Sequence, residues 1–261
     1  MSRIDAAFAA AHKVLIAYLT VGYPSIQATL EVVPALVENG CDMIELGIPF
    51  SDPLADGATI QRASHRALEQ GVTPKLCLDV AHKLRQRVDA PLVFMSYYNP
   101  LLRYGLEAFC ADSKAAGVDG LIVPDLPPEE GAELEQLTKR YDLDLIYLVA
   151  PTTTEERLRL IAARSRGFIY VVSLRGVTGA REALPSDLED FIIRLRGLTP
   201  KPLCVGFGIA TPEQARRVAA VADGVIIGSR IIDIMESSDP RSIGVAAGAF
   251  IRQIRDAISP H

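Results

Sequence analysis

One carboxylic acid stands inside a short apolar run of this sequence, and two more follow it closely. The run, Met43-Ile44-Glu45-Leu46-Gly47-Ile48, is typical of a buried strand. It continues into a loop that is rich in Pro, Asp and Gly and that carries Asp52 and Asp56. Burying a carboxylate costs free energy unless the group is paired or used. Glu45 therefore predicts either proton-transfer chemistry or a structural ion pair.

Glu45 and Asp56 are predicted to titrate differently. The apolar neighbours of Glu45 should raise its pKa toward neutrality, whereas Asp56, on a loop, should stay ionised. Two carboxyl groups in such different surroundings suit acid/base catalysis. The alternative is structural, because perturbed acids are candidates for function and not proof of it. For Asp52 and Asp125, hydrogen bonding within turns explains the residue type at least as well.

The chain must fold so that these groups meet, and its apolar pattern indicates how. Eight strand-like runs are predicted, at residues 14–19, 43–46, 91–95, 120–123, 143–149, 168–172, 202–205 and 224–227. Helical sequence follows them at 24–39, 58–69, 73–87, 106–116, 128–140, 154–164 and 188–196, from 211–213 onward, and at 243–258. The runs lack polar alternation, which is typical of parallel strands covered on both faces.

Eight such units in 261 residues favour a (β/α)8 TIM barrel with a short extra N-terminal helix at 4–11. A doubly wound open sheet is the alternative fold. It would more naturally show a Gly-rich fingerprint after the first strand, and Thr20-Val21-Gly22-Tyr23-Pro24 is not one. Because no linker or break in composition appears, we expect a single domain over residues 1–261.

The active site of such a barrel lies where the strands end, so the residue types there restrict the chemistry. No lysine follows a strand, which leaves a Schiff-base mechanism without a nucleophile. No histidine lies there either, and no cluster of metal ligands forms, so we expect no metal. The groups that remain are carboxylates and tyrosines: Glu45, Asp56, Asp125, Tyr18, Tyr97, Tyr98 and Tyr170.

Composition excludes several classes of partner. The net charge is −5 and the cations are scattered, which argues against nucleic-acid binding. The apolar runs are far shorter than the roughly 20 residues that span a membrane. The N-terminus lacks the apolar core of a signal peptide. The four cysteines form no CxxC pair and resemble small apolar residues in a reducing cytosol, so we expect a cytoplasmic protein.

Glycine-containing turns cluster after the last three strands. They are Gly176-Val177-Thr178-Gly179, Gly206-Phe207-Gly208-Ile209 and Gly228-Ser229. Glycine lets backbone N–H groups approach an anion, and phosphate sites of these barrels commonly use the last two strands. Packing alone is the alternative explanation for each turn. The long connection over residues 173–187 is typical of a lid, and an irregular surface loop is its alternative.

Five motifs, in order over nearly the whole chain, resemble those of one known family. They are Leu19-Thr20-Val21-Gly22-Tyr23-Pro24, the stretch from Glu45 to Gly57, Val123-Pro124-Asp125-Leu126-Pro127, Gly176-Val177-Thr178-Gly179 and Gly206-Phe207-Gly208-Ile209. Through them the chain resembles the tryptophan synthase alpha subunit. That family often has Ser-Arg-x-Gly where this chain has Ser173-Leu174-Arg175-Gly176.

The resemblance implies a retro-aldol cleavage of indole-3-glycerol phosphate to indole and glyceraldehyde 3-phosphate. The indole ring accepts the electrons once its C3 is protonated, so no lysine is needed. By resemblance, Glu45 protonates C3 of the indole ring and takes the proton of the hydroxyl on the substrate's side chain. Asp56 would stabilise the positive charge on the indole N–H, and Tyr170 would lie beside the pair.

The resemblance also implies the substrate contacts. Phosphate would be bound by Gly179, Gly208, Gly228 and Ser229, and the indole pocket would be lined by Tyr18, Met95 and Val123. Further substrate-binding residues implied by the resemblance are Thr20, Tyr97, Thr178 and Phe207.

The partner of such a chain would be a pyridoxal-phosphate-containing beta subunit that receives indole in an alpha2beta2 complex. The alpha chain itself would hold no cofactor. The loop over residues 53–58 and the 173–187 connection would communicate between the subunits. Two alternatives remain open: a stand-alone lyase that releases free indole, and a weakly catalytic subunit that activates a partner. The second would require a damaged site, yet Glu45 and Asp56 are both present.

Overall fold

The strands of the protein follow the predicted apolar runs closely. A computed structural model describes residues 1–10, 12–172, 186–206 and 208–259. Its strands are β1 (Val14–Thr20), β2 (Met43–Gly47), β3 (Leu92–Met95), β4 (Gly120–Ile122), β5 (Asp144–Ile146), β6 (Leu148–Val149), β7 (Ile169–Val172), β8 (Leu203–Gly206) and β9 (Gly224–Ile227). Each predicted run thus coincides with a strand to within one residue at either end, except that the fifth run holds two strands.

The strands form one parallel sheet that comes close to closing on itself. Their order is β5-β4-β3-β2-β1-β9-β8-β7-β6. The two ends of this order, β5 and β6, are consecutive pieces of one stretch, so the sheet returns to where it began. The expected continuous strand 143–149 is therefore wrong in one detail: the Tyr147 N–H donates to the Ser165 hydroxyl (3.1 Å). The Tyr147 carbonyl still accepts the Tyr170 N–H (3.1 Å).

Helices surround this barrel. In the described residues they are α1 (Arg3–Ala9), α2 (Ile26–Glu38), α3 (Ala58–Glu69), α4 (Pro74–Arg85), α5 (Tyr98–Tyr104), α6 (Leu106–Ala115), α7 (Ala132–Arg140), α8 (Glu155–Arg164), α9 (Ser186–Arg196), α10 (Pro212–Val221), α11 (Ser229–Ser237) and α12 (Ile243–Ile258). Helix α5 was not predicted. The expected helix 128–140 is instead a 3-10 turn, Pro128–Glu130, followed by α7. None of these helices is long and apolar enough to cross a membrane.

Successive residues of a strand point to opposite sides of the sheet and pack in two separate clusters. Ile16 and Tyr18 of β1 belong to a cluster inside the barrel, whereas Leu15 and Leu19 pack in the layer between strands and helices. Both faces of β1 are buried, which explains why the sequence shows no polar alternation. The interior is thus a packed core, and side chains near the strand ends face a common rim.

Helix α1 closes the opposite, amino-terminal end of the barrel. Its N-cap Ser2 forms a capping box with Asp5, and Ile4 is fully buried in the interior cluster. Arg3 pairs with Asp119 (3.0 Å), which joins the helix to the start of β4. The predicted extra N-terminal helix is therefore confirmed, and it leaves the carboxyl ends of the strands free for a site.

Candidate active site

Glu45 lies on β2 in the barrel interior, with none of its surface exposed. Its neighbours in register are Tyr18 on β1 and Val93 on β3. Neither carboxyl oxygen has a hydrogen-bond partner in the described part of the chain. Burial raises the pKa of Glu45 to about 8, as the apolar strand predicted. At pH 7 this carboxyl is therefore mostly protonated and can act as an acid.

Asp56 is less exposed than its place on a loop predicted. The side chain is half-buried, and desolvation raises its pKa to about 6, against a lowering by a hydrogen bond from Tyr97. The partial burial arises because a tyrosine just after the end of β3 contacts the loop. Asp56 is still mostly ionised at pH 7. The two acids therefore carry opposite charge states at neutral pH, although both are desolvated.

Two tyrosines enclose the interior beside Glu45. Tyr18 and Tyr170 are both buried, and burial raises the pKa of each hydroxyl, with further contributions from the charges of Glu45 and Asp56. Each ring lies against a glycine of the neighbouring strand. A Cβ atom on Gly47 would overlap the Tyr18 hydroxyl, and one on Gly206 would overlap the Tyr170 hydroxyl.

The sequence did not reveal that these two glycines make room for the tyrosine rings. Gly206 was placed in a phosphate-binding turn, but its lack of a side chain makes room for Tyr170. Gly47 was not considered at all. A glycine at the end of an otherwise bulky strand is the signal that could have indicated a closely approaching ring.

The remaining predicted substrate residues differ in where they pack. Thr20 is buried, with its hydroxyl 3.4 Å from that of Tyr18, and Met95 belongs to the interior cluster. Val123 packs instead in the layer between strands and helices. The structure therefore brings Thr20 and Met95 to the interior with Glu45 but places Val123 outside it.

The two other rim acids serve the loops, as their turn sequences suggested. Asp125 Oδ1 accepts the N–H of Tyr98 at the start of α5 (2.9 Å). Asp52 is exposed and accepts a hydrogen bond from the Ser51 hydroxyl. Neither observation indicates a role in proton transfer.

Some of the predicted phosphate-binding residues lie in the described part of the chain. Gly208 is exposed and has φ +75°, and Gly228 and the exposed Ser229 lie at the N-terminus of α11. A Cβ on Gly228 would also meet the Tyr18 ring, at 3.1 Å. Thr178, Gly179, Phe207 and residues 173–185 of the predicted 173–187 lid, with Leu174 and Arg175, lie outside the described residues. An exposed helix N-terminus at this edge suits an anion.

The described residues place another group of charged side chains at the amino-terminal end of the barrel. At the amino-terminal end, a groove of about 670 Å³ is lined by His12, Lys13, Arg196 and Asp223 among others. Lys13 Nζ donates to the Ala222 carbonyl just after α10 (2.8 Å), so this charge serves the fold. The described residues contain no group of three His, Cys, Asp or Glu side chains that could hold a metal ion.

The parallel barrel places the chain in the class of (β/α)8-barrel enzymes, and a neutral buried acid, an ionised acid and tyrosines at the strand ends suit proton transfer. Comparison with known proteins narrows this class. The family model "Tryptophan synthase alpha chain" matches residues 4–257. The tryptophan synthase alpha chain of Dehalococcoides mccartyi is 55% identical over 258 residues, covering 99% of this chain and 100% of that protein.

Solved structures agree. The tryptophan synthase subunit alpha of Legionella pneumophila has a TM-score of 0.90 at 37% identity, covering 99% of this chain and 98% of that one. A chain of Mycobacterium tuberculosis tryptophan synthase has a TM-score of 0.91 at 37% identity, covering 99% and 97%.

The chain therefore belongs to the tryptophan synthase alpha chain family, carbon–carbon lyases that cleave indole-3-glycerol phosphate in tryptophan biosynthesis. Alpha chains of this family need no cofactor, and homologues of the chain are parts of tryptophan synthase complexes.

Proposed function

We propose that Glu45 is the acid and base of the cleavage. Its neutral carboxyl donates a proton to C3 of the indole ring, which leaves a positive charge on the ring nitrogen. The resulting Glu45 carboxylate then takes the proton of the hydroxyl that the substrate's own side chain carries next to the ring. The carbon–carbon bond breaks, its electron pair neutralises the ring, and Glu45 ends protonated again. The observation that carries this proposal is a fully buried carboxyl without a partner in the described chain and with a pKa of about 8.

Asp56 stabilises the cationic intermediate in this proposal. An ionised carboxylate beside the ring N–H favours the positive charge that protonation of C3 creates. Partial burial strengthens this interaction, because the local dielectric is lower than in water. Tyr170 lies beside the two acids. Tyr18, Thr20, Met95 and Phe207 contact the substrate.

The substrate's phosphate binds at the last two strands. Gly208, Gly228 and Ser229 supply backbone N–H groups, together with Thr178 and Gly179. The N-terminus of the nine-residue helix α11 supports this assignment, because a helix N-terminus favours an anion. The phosphate then lies on one side of the barrel mouth and the indole ring on the side of Glu45.

The partner is a beta subunit that contains pyridoxal phosphate and receives indole in an alpha2beta2 complex. Leu54, which is 94% exposed two residues before Asp56, supports a docking role for this loop. The cofactor belongs to that subunit, and this chain holds none. The chain works as one domain over residues 1–261 in the cytoplasm. The four cysteines, all buried and free, suit a reducing compartment.

Indole release tests the assignment of a partner. We expect the isolated chain to cleave indole-3-glycerol phosphate slowly. Addition of a tryptophan synthase beta subunit should raise the rate by about tenfold or more. Such a factor requires closure of the Asp56 loop to lower the activation free energy by ~1.4 kcal/mol. The measurement is indole formed per minute, with heat-denatured beta subunit as the control. Full turnover by the isolated chain, with no response to the partner, would favour the stand-alone lyase instead.

A further inference from the structure

The hydroxyl of Tyr97 bridges two consecutive residues of the loop that carries Asp56. It accepts the N–H of Ala55 at 2.8 Å. The Asp56 carboxylate belongs to the next residue of the loop, and a hydrogen bond from Tyr97 lowers the pKa of that carboxyl. A phenol has a single hydrogen to donate, and since its oxygen already accepts the Ala55 N–H, that hydrogen is left for the neighbouring Asp56 carboxylate. Tyr97 therefore has little hydrogen-bonding capacity left for a substrate.

Tyr97 is itself fixed from two sides. The side chain is 6% exposed, and its ring centroid lies 5.3 Å from that of Phe50. Tyr97 is also the N-cap residue of α5, and the N–H of the next residue, Tyr98, donates to Asp125 (2.9 Å). The chain just after β3 thus presents the hydroxyl as a fixed point, to which the loop is attached through the Ala55 N–H, next to Asp56.

We propose that Tyr97 is a positioning residue whose hydroxyl holds the Asp56 loop at Ala55 and orients the Asp56 carboxylate toward the substrate's ring N–H. This inference rests on the proposed function of Asp56 and revises the expectation that Tyr97 contacts substrate. Helix α3 begins directly after this loop, at Ala58, so one end of the loop is already anchored. The tyrosine fixes the remaining, freer part.

Other titratable groups also act on this pair. In the described chain they are Tyr18 on β1, Glu45 on β2, Tyr170 on β7 and Asp125 after β4. A Tyr97→Phe substitution leaves all of them in place and keeps the ring against Phe50. A change in the titration of Asp56 in this variant therefore reports the lost hydrogen bond.

The test is the pH dependence of indole release by the full chain. We expect Tyr97→Phe to lower kcat by about tenfold or more, the effect of losing a hydrogen bond to a charged group, with little change in KM. The acid limb of the profile should move to higher pH by at least about half a unit, because the lost donor no longer favours the ionised form of Asp56. The substrate phosphate also titrates near pH 6, but equally in both proteins.

Tyr98→Phe is the matched control. It removes the hydroxyl of the neighbouring residue, whose pKa is influenced by Glu133 and Glu130 and not by Asp56, and should leave kcat and the acid limb unchanged. A raised KM with an unmoved acid limb in Tyr97→Phe would overturn the proposal in favour of a substrate contact. Asp56→Asn distinguishes failure of the proposed role of Asp56 from failure of the proposed role of Tyr97. Full activity in Asp56→Asn would refute the role of Asp56 itself. An inactive Asp56→Asn, together with a Tyr97→Phe variant whose acid limb does not move, would refute the positioning role of Tyr97 alone.

Discussion

Glu45→Gln is expected to lose almost all cleavage of indole-3-glycerol phosphate while folding normally and still binding the substrate. Glutamine is close to glutamic acid in size but has no proton to donate at C3. General acid–base catalysis by one side chain contributes about 10²–10⁴-fold, so we expect kcat to fall by about 10³-fold or more, since Glu45 performs both proton transfers. The measurement is indole release at saturating substrate, with substrate affinity measured by calorimetry.

Glu156→Gln is the control for this substitution. It makes the same chemical change at an exposed position in the first turn of α8 and should leave both kcat and substrate affinity unchanged. Unchanged turnover in Glu45→Gln would contradict the assignment of the acid. A variant that lost substrate affinity in parallel with turnover would contradict it as well, because Glu45 would then be a binding group.

The same substitution is expected to stabilise the fold at alkaline pH. The pKa of Glu45 is about 8 in the folded chain, against an ordinary value of 4.5. Between these two values the folded chain keeps a proton that the unfolded chain has released, so the free energy of unfolding falls as the pH rises from about 4.5 to about 8. At 1.36 kcal/mol per pKa unit, the loss above pH 8 amounts to at most about 5 kcal/mol.

Glutamine at position 45 carries no such charge. We therefore expect Glu45→Gln and the parent chain to unfold at similar urea concentrations at pH 5, and the variant to be more stable at pH 9. Far-UV circular dichroism suits the measurement, because the chain contains no tryptophan. Glu156→Gln should match the parent at both pH values. Equal stability of Glu45→Gln and the parent at pH 9 would mean that Glu45 ionises freely in the folded chain.

Predictions from the sequence succeeded where the signal was local. The apolar runs located every described strand, since a strand covered on both faces must be apolar throughout. They did not reveal the break at Tyr147, because the competing acceptor, Ser165, lies 18 residues further along the chain. Helix α5 was not predicted, although its Pro100 lies in the first turn, where proline is tolerated.

The site shows the same division. The burial of Glu45 and the rise of its pKa followed from its own strand. The partial burial and the raised pKa of Asp56 did not, because Tyr97 reaches it from just beyond a strand that begins 36 residues later. The roles of Gly47 and Gly206 also depend on rings from other strands. Contacts between distant segments decide these points, and local patterns carry no information about them.

The pH dependence of kcat/KM for the free chain tests the central claim most directly, because it reports the ionisation of the essential groups in the free enzyme. Glu45 must be protonated to start the reaction, and its pKa is about 8. The rate of indole release should therefore be highest near pH 7 and fall above pH 8, tenfold for each further unit. A rate that stays level or rises from pH 7 to pH 9.5 would contradict the claim that Glu45 donates the proton.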